Sequence, residues 1–359
     1  MPSVIYAPAY RTYSFGDEHP FSPIRVDMTL DLLDALGHRV ETVEPLPATR
    51  EEILDVHADS YVRRVEELSA GAEVPDSQEY GLSTQDTPAF PGMDQAARWL
   101  VGGTLHGARL IAEGKARRVL QLGGGLHHAR RSFASGFCIY NDLAIAINCL
   151  TGHGLKVAYI DIDVHHGDGV QEILYEDERV MTVSLHESGK YLFPGTGEIR
   201  ELGSGVGRGL KLNLPLEPFT EGGSYLEVFE QVLPAALRHF CPDVLVVQAG
   251  TDAHFDDPLS DLMLTTRDYE AIFRRILAWA DDSTAGRVLF TLGGGYSFRA
   301  APRVWAILYL VLHDLPVAET LHDPNPSHAD IPNRYEIAHR NRQVAERLLD
   351  LARQYWFQK

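Results

Sequence analysis

Cysteine is scarce in this chain: three residues, Cys138, Cys149 and Cys241, with no CxxC pair. A count that is odd and sparse excludes a disulfide framework and fits a reducing compartment. No apolar run approaches the roughly 18 residues that suggest a membrane span. The N-terminal stretch MPSVIYAPAYR has no basic region followed by an apolar one, so no signal peptide is expected. There is no low-complexity tract, internal repeat or Ser/Gly linker, which argues for one domain over residues 1–359. A basic stripe is also missing. Arg117-Arg118 and Arg130-Arg131 are short clusters of the kind found on solvated surfaces, so nucleic acid is not an expected partner. These absences together predict a cytoplasmic protein with no membrane partner. They do not give its oligomeric state.

What is present is an acidic chain of 359 residues, 45% hydrophobic, with a formal net charge of -18. That is ample for a large core, and the acidity favours a cationic protein or amine partner. Short apolar runs rich in β-branched residues occur at Val4–Ala7, Val119–Leu122, Val157–Ile162, Val180–Leu185, Leu210–Leu214, Val244–Gln248 and Val288–Leu292. Each has the length of a strand buried on both faces. Helical spacing of apolar residues appears over Asp94–Ala112, Asp142–Leu150, Tyr225–Phe240, Asp268–Ala280 and Arg303–Leu312, and a further helix is expected over Arg334–Trp356. This alternation predicts an α/β fold with one open, mostly parallel sheet and helices on both faces. Gly71–Met93 and Glu187–Gly209 read as long loops, which inside a compact domain usually carry function.

Polar residues gather where the expected strands end, the place where open α/β sheets bind ligands. Val119–Leu122 runs into three glycines and the pair His127-His128. Glycines let backbone approach a ligand closely, although a plain turn with two surface histidines is equally compatible. Val157–Ile162 runs into Asp161, Asp163, His165 and Asp168. The first three share a face if the strand stays extended. Two carboxylates and an imidazole on an apolar strand need compensation, by a metal or else by salt bridges. Val244–Gln248 leads to Asp252, a candidate third ligand or an N-cap, with His254 as a competitor. Val288–Leu292 leads through three glycines to Tyr296, whose phenol can donate to a developing oxyanion or simply pack at the turn. Metal, paired histidines and a phenol converging on one place would form a hydrolytic site.

With these residues in view, the sequence resembles the histone deacetylase family, in particular its class I-like bacterial acetoin-utilisation type. The motifs FGDEHPFSPIR, DTPAFPGM, GGGLHHARRSFASGFCIYND, DIDVHHGDGVQEILY, VMTVSLHE, FPGTGE, AGTDAHFDDPL and LGGGY carry the resemblance, from about Tyr6 to about Leu312. It implies an arginase/deacetylase fold with about eight strands in the sheet and helices on both faces. It also implies a metal-dependent hydrolase acting on acetyl-lysine in proteins. Asp163, His165 and Asp252 become the ligands of Zn2+, with Fe2+ as the alternative ion. His127 and His128 become the tandem histidines, with His128 as general base and acid. Asp161 and Asp168 become their carboxylate partners, and Tyr296 the oxyanion donor. Phe137 and Phe193 wall an acyl-lysine channel beside Gly136, Asp86 is a rim carboxylate for substrate amides, and Arg25 belongs to an acetate channel. Structural K+ or Na+ is implied at an inner site (Asp161, Asp163, His165, Ser184, Leu185) and at an outer site (Leu174, Asp177, Val180, Leu210).

The expected partners are acetylated proteins, an acyl-CoA synthetase among them. Acetylpolyamine or another small amide is the alternative substrate. An arginase-like ureohydrolase, which needs two bridged metals, and a non-catalytic acetyl-lysine binder are less favoured. The segments Ala253–Asp256 and Glu187–Leu192 depart from the family text. Beyond the former segment, after Asp257-Pro258, stands Leu259, where by the resemblance polyamine deacetylases carry an acidic gatekeeper. Cys138 reads as packing, since the metal makes a nucleophilic thiol unnecessary.

Overall fold

The structure, a computed structural model, describes residues 2–324, 331 and 333–356. Seven strands are found among the described residues: β1 Ser3–Ile5, β2 Arg118–Gln121, β3 Val157–Asp161, β4 Val180–Glu187, β5 Lys211–Leu216, β6 Val244–Gln248 and β7 Val288–Thr291. They form one all-parallel sheet in the order β1-β2-β7-β6-β3-β4-β5. Each coincides, within a few residues, with one of the apolar runs in the sequence. The resemblance implies about eight strands and the described residues hold seven; beside β1 the chain adds only an isolated parallel bridge, Ile5 to Val43. Pro45 and Pro47 follow at once, and each removes the backbone donor that a longer ladder would need.

Among the described residues ten α-helices surround the sheet: α1 Ile24–Ala35, α2 Arg50–Leu54, α3 Asp59–Ser69, α4 Met93–Ala112, α5 Asp142–Gly152, α6 Asp168–Ile173, α7 Gly222–Phe240, α8 Thr266–Thr284, α9 Ala301–Leu312 and α10 Arg334–Trp356. Strand periodicity decides which layer meets which face. Val157 and Tyr159 of β3, with Val244 and Val246 of β6, pack with Ala108, Ile111, Ala146 and Ile147 of α4 and α5. The intervening Ala158, Ile160, Leu245 and Val247 pack with residues of α7, α8 and α9. A sheet buried on both faces follows, as the continuous apolar runs require. α4 comes close enough that a Cβ on Gly107 would meet Leu289 Cδ1 at 2.8 Å.

Helix starts are fixed locally. Thr265 and Asp268 form a capping box at α8, and Asn141 accepts from the Ala144 N–H at α5. The two expected loops hold only 3-10 turns, at Ser77–Tyr80 and Gly205–Gly207. No described helix is long and apolar enough to cross a membrane.

Candidate functional site

Sheet order explains how residues far apart in sequence meet. β2, β7, β6 and β3 are neighbours, and their carboxyl ends carry His127-His128, Tyr296, Asp252 and Asp163-His165 respectively. The chain does not stay extended beyond Asp161. Instead each acidic side chain accepts the backbone N–H two residues on: Asp161 from Asp163 at 3.1 Å, Asp163 from His165 at 3.0 Å. The three side chains therefore part company. Asp161 turns to His127, while Asp163 and His165 turn to Asp252.

Ligand atoms of Asp163, His165 and Asp252 lie within 4.8 Å of one another, and all three residues are buried. His165 Nδ1 is 3.0 Å from Asp163 Oδ1 and 3.2 Å from Asp252 Oδ2. Two carboxylates cannot both stay ionised in so dry a place without a cation. Burial, aided by the charge of Asp163, pushes Asp252 up to about 8. Burial works to lower His165, but the two carboxylates outweigh it and raise it to about 10. A divalent ion would take the place of those protons. The donor set, two oxygens and one nitrogen with one side facing a cavity, suits a catalytic zinc site. His254 does not compete with Asp252: it is buried elsewhere, 2.9 Å from Asp323.

Around this triad stand supports that the sequence reading did not single out. Gln248 Nε2 donates to Asp163 Oδ2 at 2.7 Å, the Gly294 N–H to the same oxygen at 2.9 Å, and the Val164 N–H to Asp252 Oδ1 at 2.8 Å. Gly294 is obligatory at this approach, since a Cβ there would lie 2.0 Å from Asp252 Oδ2. Gln248 ends its strand next to Asp161 in register, so strand-end position was the available signal for it.

The histidines form a pair, His127 Nε2 to His128 Nε2 at 3.0 Å. His127 Nδ1 meets Asp161 at 2.8 Å, and that carboxylate also accepts from the Tyr159 hydroxyl at 2.6 Å. His128 Nδ1 meets Asp168 at 2.7 Å, and Arg130 donates to the other Asp168 oxygen at 2.8 Å. Burial opposes charge on both rings, but Asp161 and Asp163 overcome it at His127 and hold it up at about 9. At His128 burial prevails, reinforced by the neighbouring His127 charge, and its pKa falls to about 4. One imidazole of the pair is thus kept charged and the other neutral near pH 7.

A narrow cavity opens beside Asp163 of the triad, lined by Phe21, His128, Phe137, Asp163, Gly294 and Tyr296. The Phe137 ring meets the Tyr296 ring edge-on with centroids 5.7 Å apart, and Phe193 meets His128 at 5.1 Å. Gly136 and Phe137 both have positive φ, and a Cβ on Gly136 would lie 2.1 Å from His128 Cδ2. Asp86 accepts the Gly136 N–H at 2.7 Å, so it braces this turn. Tyr296 is half-buried at the cavity, and desolvation of its phenol, helped by Asp252 and Asp163, raises its pKa well above 10. Leu259 is half-buried and its N–H is held by Asp257. Asp257 also accepts from the Tyr296 N–H at 2.6 Å, while Asp256 is tied to Ser297 and Arg299.

A second cavity adjoins the first and shares Phe21, Gly124 and Gly293 with it. Arg25 lines it, buried against Phe21, Tyr296 and Trp305 and donating to the Gly293 and Gly295 carbonyls. Cys138 is buried and its thiol is pushed well up by burial, in keeping with packing.

The residues expected at an inner cation site are gathered at the ends of β3 and β4, where Asp161 and Ser184 are register partners and Leu185 follows. The outer site differs from expectation. The Leu174 carbonyl accepts from the Asp177 N–H at 3.1 Å and the Leu210 carbonyl from the Thr182 N–H at 2.9 Å. The carbonyls of Asp177 and Val180 accept from Lys211 Nζ at 3.1 and 2.6 Å.

The family model of the histone deacetylase domain matches residues 19–312. The acetoin utilization protein AcuC of Bacillus subtilis (strain 168) is 41% identical over 370 residues, covering 96% of both chains. The protein of that name from Staphylococcus aureus (strain MSSA476) is 39% identical, covering 87% of this chain and 82% of its own. That of Staphylococcus xylosus is 34% identical over 99% of this chain and 97% of its own. With the sheet and the strand-end residues described above, these matches show that the chain belongs to the histone deacetylase family, as a bacterial acetoin-utilisation-type member with the arginase/deacetylase fold.

Proposed function

We propose that this hydrolase deacetylates acetyl-lysine in proteins, using Zn2+ held by Asp163, His165 and Asp252. The observation that carries the reading is the buried triad beside a narrow aromatic cavity, flanked by one charged and one neutral histidine. Bound there, the ion supplies Lewis-acid polarisation of the acetyl carbonyl and acidifies water; Fe2+ is the alternative ion. His128, kept neutral, takes the proton of the attacking water and later gives it to the leaving amine. Asp168 fixes its tautomer by accepting at Nδ1. His127 stays charged and stabilises the developing negative charge. Tyr296 keeps its proton at any working pH and donates to the oxyanion.

Phe137 and Phe193 shape the channel for the lysine methylenes, with Gly136 giving the clearance that His128 needs. Asp86 receives substrate backbone amides at the rim. Arg25 in the second cavity receives departing acetate. Acetylated proteins, an acyl-CoA synthetase among them, are the proposed partners, and the inner residues Asp161, Asp163, His165, Ser184 and Leu185 hold a structural K+ or Na+.

Acetylpolyamine is the rival substrate. Leu259 bears no charge to draw a distant ammonium, and Asp256 and Asp257 are committed to Ser297, Arg299 and the Tyr296 backbone. The test is kcat/KM of zinc-loaded protein on an acetyl-lysine peptide, N-acetylputrescine and acetylspermidine. A tenfold or greater preference for either polyamine, about 1.4 kcal/mol in transition-state binding, overturns the lysine reading and leaves the amide hydrolase.

A further inference from the structure

Lys211 opens β5 and is fully buried. A buried lysine normally pairs with a carboxylate. This one instead points its ammonium at two backbone carbonyls, Val180 O at 2.6 Å and Asp177 O at 3.1 Å. The Asp177 carboxylate is turned to Arg179, with contacts of 3.0 Å to Nε and 2.6 Å to Nη2. A cradle of backbone oxygens with no anion among its direct contacts is the environment of a bound monovalent cation. The same two carbonyls belong to the outer cation site that the family resemblance implies, and the other two, of Leu174 and Leu210, accept backbone N–H groups. The residues present therefore do not fit a free ion there.

We propose that the Lys211 ammonium is the permanent occupant of this cradle, a cation supplied by the chain itself, so that no free K+ or Na+ binds at the outer position. Burial draws its pKa down to about 7, with Asp177 opposing; experiments at pH 6 therefore address the ammonium. The tether lies under the segment from α6 to β4. α6 begins with Asp168, which holds His128, so the cradle braces one end of the catalytic pair's support. Asn213, two residues along the same strand face, bonds Gln171 of α6 at 2.7 Å and extends the brace. The inference rests on the placement of Lys211 and is independent of which amide the enzyme hydrolyses.

The test pairs wild type with Lys211→Ala and Lys211→Met, all metal-loaded, at pH 6. Crystals soaked in Tl+ should show no anomalous peak within 3.5 Å of the Asp177 and Val180 carbonyls in wild type. Lys211→Ala should show one. On changing choline chloride for KCl at constant ionic strength, the melting temperature of Lys211→Ala should rise by about 2–4 °C more than that of wild type, as expected for a new site that binds only the folded state. Lys211→Met, whose side chain still fills the cradle, should show no such extra rise. A Tl+ peak at the wild-type cradle overturns the proposal, and this holds even if neither variant folds. So does a wild-type melting temperature more sensitive to K+ than that of Lys211→Ala.

Discussion

Tyr296→Phe isolates one atom of the proposed mechanism. The ring is held by an edge contact with Phe137, by the Arg25 guanidinium 5.6 Å from its centroid, and by the backbone bond to Asp257. None of these uses the hydroxyl. Among the described residues no hydrogen bond ties that hydroxyl to the protein, so its loss should cost about 0.5 kcal/mol of stability or less. Its effect on the reaction is of another size. Burial keeps the phenol protonated, and the low-polarity cavity strengthens the one bond it gives to the oxyanion. Deleting one such donor costs on the order of 10²–10³ in turnover, about 2.7–4 kcal/mol. Because the bond forms fully only in the transition state, kcat should fall while KM and metal content stay near wild type. Steady-state kinetics on a fluorogenic acetyl-lysine peptide, with thermal melting and metal analysis on the same samples, read all four quantities. A variant within about threefold of wild-type kcat, well short of the donor-loss range, refutes the oxyanion role.

Metal analysis of the purified chain should give about one tightly held transition metal, as a site with three protein ligands predicts. Asp163→Ala and Asp252→Ala should each lose most of it and nearly all activity. Two such metals bound stoichiometrically would revive the ureohydrolase reading. Asp161→Asn removes the leading charge that raises His127, so the ring should lose its proton at lower pH. Since activity needs the charged ring, the alkaline limb of the kcat profile should move down by about one to three units, the span of a lost opposite charge; an unmoved limb would separate that limb from His127. Leu259→Glu should shift the kcat/KM ratio toward acetylpolyamines, and Asp86→Ala should depress the peptide most. Equal effects of Asp86→Ala on peptide and polyamine would place Asp86 as a brace for Gly136 alone.

Apolar runs were a reliable guide to the strands because a parallel sheet buries both faces, and that leaves no polar residue to blur the run. Helices were legible where one face is apolar over several turns, as in α4 and α8. α1 was not, since Pro23 gives it no side-chain cap and its apolar residues are spread around the cylinder. α6 was hidden because its first residues, Asp168-Gly169, read as site and turn. The residues of the candidate site stood out as polar groups at strand ends, and the family resemblance gave them roles. Their supports did not stand out. Gln248, Tyr159 and Arg130 are ordinary residues in sequence; Gln248 and Arg130 find their partners only through the fold, and Tyr159 meets Asp161 two residues along its own strand. Lys211 lies within the expected strand Leu210–Leu214, yet nothing local in the sequence announces that its ammonium is held by the carbonyls of Asp177 and Val180.

The position of β7 in the sheet bears on how the enzyme comes into being. It is hydrogen-bonded on one side to β2 and on the other to β6, with Leu289 opposite both Val119 and Val246. Without it the sheet falls into two pieces, β1-β2 and β6-β3-β4-β5, that share no strand pairing. The Asp163-His165-Asp252 triad sits on the larger piece and the histidine pair on the smaller. During synthesis, both pieces must wait with open apolar edges until residues 288–291 emerge, a stage exposed to mispairing and to chaperones. Tyr296 follows directly behind the strand that joins them. The parts needed for catalysis are thus brought together in a single late event, so that no shorter nascent chain holds a working site.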